Sequence, residues 1–473
     1  MSLRHITPFL LVLTASLWSN GPAQAQFEHI APGDTAELSL QDVIRLAVAR
    51  SPQVAEMAAG LDYAEARGSQ AKASRFLPEF KATTSHAPSP GLSSSSFPDD
   101  QLYLDPDLRN SWDKVRVFNQ IEVSLAQPLL TWGELSGSVR AAKSGVEVAD
   151  ARVREKSLAV ASRAAELYFN VLLTEELVRL AGETGDIVQR AKSEIKRMLD
   201  EGAADVDDAD LFQVEITEQE YRRSVVEAEQ KHKLAVSALS RQLFVPEGAA
   251  VIPDRRELLP VDYAVDSLAT YFDQSQTMRP ELQQASAGLD ARNALVRVAR
   301  ADYKPKLFLG ASARMSDAPG RHNQPNPFIS DPLTGSGLRA GIGIRQNLNF
   351  SITKAKVRQA EAQRDEVLQK LRAADQLIRF DVEQAYRNLI VARAALDAQS
   401  EALRISKEWL QTEEINFDLE LGDTENLVRA VRSNLELRAK YFEAVRDNNV
   451  NVIRMLDATG LLLDPHAIGM LFD

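Results

Sequence analysis

The sequence predicts a mainly α-helical fold with short antiparallel β-hairpins, laid down as two tandem copies of one unit. Three observations carry this expectation. From Glu134 to Glu201 the chain has no proline, and Val139, Val146, Val153, Val160 and Leu167 recur seven apart, with Ala142 and Ala149 offset by three. That is the stripe of a helix wound against neighbours; at 1.5 Å per residue it would run roughly 100 Å. The same order of helix, strand, loop, strand, long helix, tip and returning helix then occurs twice. Finally, the strand segments alternate apolar and polar residues.

Composition narrows the classes. The chain has 473 residues with Lys+Arg 55 against Asp+Glu 67, a net charge of −12. An acidic balance argues against nucleic acid and against a polybasic membrane-surface binder. The absence of cysteine excludes disulfides, thiolate metal sites, cysteine nucleophiles and an acylated N-terminal cysteine. Residues 1–25 read as a cleavable secretory signal: Arg4 and His5, an apolar run from Pro8 to Trp18, then Ala23-Gln24-Ala25. No later stretch is apolar enough for a membrane helix.

In chain order, residues 26–246 form the first repeat. After an extended arm (Gln26 to Glu37), helices are expected at Leu40 to Arg50 and Pro52 to Arg75, the proline sitting where its missing N–H costs nothing. Pro78 stops the second helix, and a hairpin follows within 79–126, with strands Glu79 to His86 and Val115 to Ala126 around a Ser-, Pro- and Asp-rich loop. A long helical hairpin spans 134–244, with its tip near Gly202. Residues 247–266 form a connector. The second repeat, 267–460, holds a hairpin at 306–347 and a helical hairpin at 351–459, and 461–473 is a C-terminal tail. Ala59-Gly60-Leu61-Asp62 is echoed by Ala287-Gly288-Leu289-Asp290, Pro78 by Pro305, Ala126-Gln127-Pro128-Leu129 by Arg345-Gln346-Asn347-Leu348, and Glu201-Gly202 by Leu421-Gly422.

In the last strand Leu338, Ala340, Ile342 and Ile344 alternate with Arg339, Gly341, Gly343 and Arg345. Two readings are open: a half-buried soluble sheet, or strands with lipid on one side and water on the other. Four strands do not close a barrel, and open edges do not face lipid. Three chains with four strands each would make twelve, an even number that membrane barrels use. They would also give the long helices neighbours around a ring.

The duplicated order resembles the TolC family of outer-membrane efflux proteins. The residues that carry the resemblance are Pro78 and Pro305, the exit Gln127-Pro128-Leu129-Leu130-Thr131-Trp132-Gly133, and the tip glycines Gly202 and Gly422; it covers about Leu38 to Gly460. The resemblance implies a homotrimer whose four strands per chain build a twelve-stranded β-barrel in the outer membrane, above a helical α-barrel across the periplasm. It implies partners too: a periplasmic adaptor (membrane fusion) protein, an inner-membrane transporter of RND, ABC or MFS type, and outer-membrane lipid. The expected role is a passive exit duct for a tripartite efflux pump or type I secretion system, with no enzyme activity, no cofactor and no nucleic acid. Without an N-terminal cysteine, the barrel alone would hold the chain.

Candidate sites follow. Between Met198 and Asp210 the tip carries Asp200, Glu201, Asp205, Asp207, Asp208 and Asp210 around Gly202. Tripled in a trimer they would ring the periplasmic entrance, attract cations and raise one another's pKa; the alternative is helix capping. The family's entrance aspartates have a counterpart at Asp208, whereas the second repeat has Val428 and Val431 there, with Arg429 and Arg432 beside them. Arg429 would bridge to a neighbouring helix or face water, and Gly422 and Asp423 are candidates for adaptor contact. Lys81, Glu122, Arg339 and Arg345 are candidates for the barrel lumen, the alternative being ordinary solvated strand residues. The dispersed histidines show no metal spacing. The competing function classes are a periplasmic adaptor, which would have one helical hairpin between glycine-rich β-modules, and a non-conducting envelope coiled coil, which would not need the alternating strands.

Overall fold

The computed structural model describes residues 33–93, 109–201, 207–319, 333–418 and 424–469. The expected signal segment 1–25 and the tip residues Gly202, Asp205, Gly422 and Asp423 lie outside these. In chain order, β1 (Thr35–Leu38), α1 (Leu40–Arg50) and α2 (Pro52–Ala73) lead to β2 (Glu79–Ser93) and β3 (Arg109–Leu130), then α3 (Glu134–Asp200) and α4 (Asp208–Gln242). After β4 (Ala250–Pro253) the set recurs as α5 (Leu268–Met278), α6 (Pro280–Ala301), β5 (Lys306–Asp317), β6 (Gly335–Arg345), α7 (Phe350–Asp418) and α8 (Thr424–Thr459), followed by α9 (Pro465–Gly469). Corresponding helices match in length: 11 residues in α1 and α5, 22 in α2 and α6, 67 and 69 in α3 and α7, 35 and 36 in α4 and α8.

Local chemistry sets the helix starts. Ser39, Ser51 and Ser267 accept the backbone N–H of Asp42, Val54 and Thr270 at 3.1, 3.4 and 3.3 Å, the usual N-cap bond. Pro52 and Pro280 occupy the first turn of α2 and α6. Helices as short as α1 and α5 are marginal alone; burial of Val43, Ile44 and Ala47 in α1, and of Tyr271 in α5, ties them to the rest.

The long helices lie side by side. α3 packs against α2, α4, α6 and α8, and α7 against α6 and α8. The core sits midway along α3, where Leu158, Ala161, Ala165, Tyr168, Phe169 and Leu172 meet α1, α8 and the segment after α4. Val160 and Leu167 of the heptad stripe are buried there, while Val139, Val146 and Val153 are only half-covered. Nearer the strands α3 and α6 touch closely: a Cβ on Gly137 would lie 2.8 Å from Val298 Cγ2 and 3.2 Å from the Ala294 carbonyl oxygen.

The sheet departs from the expected strand limits. β2 runs on to Ser93 and β3 spans Arg109–Leu130, beyond the expected His86 and the expected Val115 to Ala126. Two arms of one hairpin hold each other by backbone bonds even where the Ser- and Pro-rich sequence shows no alternation. Pro88 and Pro90 are tolerated because β2 is an edge strand in the order β2-β3-β5-β6. The segment 247–266 is more than a linker, since β4 pairs in parallel with β1, Thr35 opposite Ala250 through Leu38 opposite Pro253. It is also stapled by side chains. Glu176 accepts the Leu258 N–H at 3.0 Å, and Asn449 accepts the Val261 N–H at 3.0 Å while donating to the Leu259 carbonyl at 2.8 Å.

Candidate functional site

The register of the four-stranded sheet sorts its side chains into two faces. Lys81, Ser124, Ser312 and Arg339 form one row, and Thr83, Glu122, Arg314 and Gly337 the next. Lys306 opposite Arg345 lies on the same face. Side chains alternate along each strand, so the candidates Lys81, Glu122, Arg339 and Arg345 all share this polar face. The opposite face carries Ala82, Val123, Ala313 and Leu338 in one row, Phe80, Leu125, Ala311 and Ala340 in another, and Leu309 opposite Ile342 and Leu307 opposite Ile344. Leu338, Ile342 and Ile344 are 79%, 68% and 73% exposed, so nothing in the protomer covers the apolar face.

Sequence reasoning missed Arg314, which stands directly opposite Glu122. Its signal was present: it is flanked by Ala313 and Met315 in the same apolar–charged–apolar pattern that singled out Arg339. On the polar face the Arg345 guanidinium lies 5.0 Å from the centre of the Phe308 ring, a cation–π contact. That ring lies across Gly343, where a Cβ would come within 2.5 Å of it.

Where strands become helices, the repeated glutamines act alike. Gln127 accepts the Leu77 N–H at 2.6 Å and donates to the carbonyls of Arg75 at 3.0 Å and Pro128 at 2.8 Å. Gln346 donates to the Tyr303 carbonyl at 3.4 Å. Trp132 Nε1 donates to the Pro305 carbonyl at 2.7 Å, which joins the first exit to the second entry.

At the far end Asp200 ends α3 and Asp208 begins α4. Ile195 and Val214 are buried against Val188, Met198, Leu199 and Leu211, which fastens the two helices together. Many acids here have cationic partners. Arg197 binds Glu201 at 2.8 Å and Glu194 at 2.5 Å; Lys192 binds Glu218 at 2.7 Å and Glu215 at 3.2 Å; Arg222 binds Glu218 at 2.7 Å. Hydrogen bonds from Arg197 hold Glu194 below the ordinary carboxylate range, and those from Lys192 and Arg222 do the same for Glu218. Glu194 and Glu218 flank the predicted acidic ring and are not members of it; each is held by a cation of its own or the facing helix. Asp207 Oδ1 accepts the Ala209 N–H at 2.8 Å, a capping role. Arg429 pairs with Glu425 of its own helix at 2.7 Å, with both side chains exposed; the i,i+4 spacing puts the acid within easy reach. Among the described residues no cluster of His, Asp and Glu is arranged to hold a metal ion, and no helix is long and apolar enough to cross a membrane.

Comparison with known proteins decides the family. The description "Outer membrane efflux protein" matches residues 43–243 and 272–441. The chain belongs to the outer membrane efflux protein family. It is 23% identical over 351 residues to Protein CyaE of Bordetella pertussis (strain Tohama I), covering 73% of this chain and 71% of that one. Among solved structures the fold is similar to CusC, with a TM-score of 0.71 at 16% identity over 94% of this chain and 95% of the other. It is also similar to the open state of the Neisseria gonorrhoeae MtrE outer membrane channel, with a TM-score of 0.68 at 18% identity over 89% of each chain. As an outer membrane efflux protein the chain is an outer-membrane channel with a periplasmic helical extension, a transport protein and not an enzyme. Channels of this family form trimers that work with other efflux-pump components.

Proposed function

We propose that three copies of this chain form the exit duct of a tripartite efflux pump or type I secretion system, a passive conduit opened by a periplasmic adaptor and an inner-membrane transporter of RND, ABC or MFS type. The observation that carries this reading is the sheet. It has one bare apolar face, one charged face, and β2 and β6 left as its edges. Unsatisfied strand edges are not stable in lipid, so the sheet calls for further strands, and two more copies supply them without a new element. The charged face then lines the lumen, with Lys81, Glu122, Arg314, Arg339 and Arg345 tuning passage through it. The other end, bounded by Asp200, Glu201 and Asp208 and reaching Gly202 and Asp205, becomes the periplasmic mouth; the second tip, with Gly422, Asp423 and Arg429, is offered to the adaptor.

The test is conductance. Purified full-length protein reconstituted in a planar bilayer should insert as a trimer and pass ions, with a cation preference from the acidic mouth that falls when Asp200 and Asp208 are changed to Asn. A monomer that folds but passes no current would overturn the duct.

A further inference from the structure

Beside the junction of sheet and helices lies a cavity of about 320 Å³ that the duct does not use. It is lined by Trp132, Gly133, Ser136, Arg140, Arg297, Arg300 and Lys304 among others. Four cations therefore surround one small space. Among the described residues only Arg300 of the four is ion-paired, to Glu361 at 2.6 Å; the Lys304 ammonium sits 4.7 Å from the centre of the Trp132 ring. The N-cap position of α3, Gly133, makes no side-chain cap bond, which adds the positive end of a 67-residue helix to the same space.

The side of the wall on which this cavity opens follows from geometry. Lys306, on the arginine-bearing face of the sheet, binds Glu134 at 2.8 Å and Asp302 at 2.7 Å. At roughly 100° per residue, Ser136 and Arg140 lie ~200–240° around α3 from Glu134. Likewise Arg297 and Arg300 lie ~140–200° around α6 from Asp302. The cavity therefore opens on the opposite side of the α3–α6 pair, continuous with the apolar face. The pair is flanked by α2 and α7, which keeps the cavity away from the protomer's edges, where neighbouring copies meet. Leu129, Leu130 and the half-exposed Trp132 mark the adjoining rim of the apolar band, as interfacial aromatics do at the end of a membrane span.

We infer that this cavity holds the phosphate headgroup of a phospholipid in the periplasmic leaflet, with its acyl chains lying on the apolar face above. Arginine is suited to the ligand, since its planar fork meets phosphate oxygens bidentately, and each Lys or Arg held near a membrane surface attracts anionic headgroups by about 1 kcal/mol. The inference rests on the outer-membrane placement of the barrel and not on conduction.

The test is native mass spectrometry of the full-length trimer equilibrated with phosphatidylglycerol, with diacylglycerol of the same chains and, separately, with inorganic phosphate. Phosphatidylglycerol should be retained, up to one per protomer, and diacylglycerol lost. The triple variant R140Q/R297Q/K304Q should retain phosphatidylglycerol on the order of 100-fold more weakly with bilayer conductance unchanged. Glu361→Gln, which frees Arg300, should raise retention, and it keeps the test open if the triple variant does not fold. Equal retention of both lipids, no loss in the triple variant, no gain in E361Q, or inorganic phosphate binding as tightly as the lipid would each overturn the site. Loss of conductance with lipid retention intact would count against the duct and leave the lipid site standing.

Discussion

Single side chains hold the turns of this chain where no regular hydrogen-bond ladder can. Gln127 satisfies one N–H and two carbonyls at the first strand exit; its neighbour in that contact, Leu77, is held at a positive φ of 41°. Gln127→Ala should cost roughly 1–3 kcal/mol, since the groups left behind lose partners, and Gln346→Ala, with one long bond, distinctly less. Thermal denaturation of the purified protein would compare them, and equal losses would contradict the assignment. Asp457 has the opposite effect. Burial, more than anything, pushes its carboxyl up to about 6; Arg279 and the Ser162 hydroxyl pull it down, and Glu281 and Glu166 push it up further. Because its folded pKa lies above the unfolded one, ionisation costs stability as pH rises from about 4 through about 6. Asp457→Asn should therefore stabilise the protein at pH 7.5 by roughly 1–3 kcal/mol, with the gain gone at pH 4. A variant equally stabilised at both pH values would show that charge is not the cause.

At the scale of elements, the sheet and the helical hairpins are held in different ways. The sheet exposes its apolar residues, so a charge there should be felt only in lipid. Ile342→Arg should weaken insertion by roughly 2–4 kcal/mol if it lies near the bilayer midplane, while the adjacent Gly341→Ser on the polar face should be tolerated; folding into lipid vesicles, titrated with urea, reads the difference. The end of the α3–α4 hairpin farthest from the sheet relies on the small Ile195–Val214 cluster and on Lys192 between Glu215 and Glu218. Glu218 is held below its ordinary range, so its contribution is present above the unfolded carboxylate pKa and is lost as pH falls through the depressed one. Protection of the amides near Val214, measured against an unfolded chain at the same pH, should fall on acidification below about pH 4, and Glu218→Gln should show the lower protection already at neutral pH. An unchanged pH profile in that variant would remove Glu218 from the account.

At the scale of the whole molecule, the sheet and the far ends of α3 and α4 lie at opposite ends of the long helices, and in the proposed duct closure depends on other copies. The chain lacks cysteine, which makes cross-linking clean. Thr83→Cys on β2, combined in turn with cysteine at Gly337, Arg339 or Gly341 on β6, should give covalent trimers on oxidation. Only intramolecular or dimeric products would contradict closure by three copies.

The sequence by itself determined the repeat, the helix stops at Pro78 and Pro305, the long helices and the two-faced strands, because each is written in local spacing: periods of seven and of two, and prolines that cannot continue a helix. It also placed Lys81, Glu122, Arg339 and Arg345 on alternating strands. Only the tertiary structure decided what depends on segments far apart in the chain meeting. The placement of Arg314 opposite Glu122 needed the register between β3 and β5, and the β1–β4 pair joined residues too few to show a pattern. The ion pairs of Lys192 and Arg222 with Glu218 needed α3 and α4 to meet, and the basic cavity drew on α3, α6 and the turn before β5. Local periodicity reports which face of an element is apolar, but which partner that face meets is a property of the packed chain.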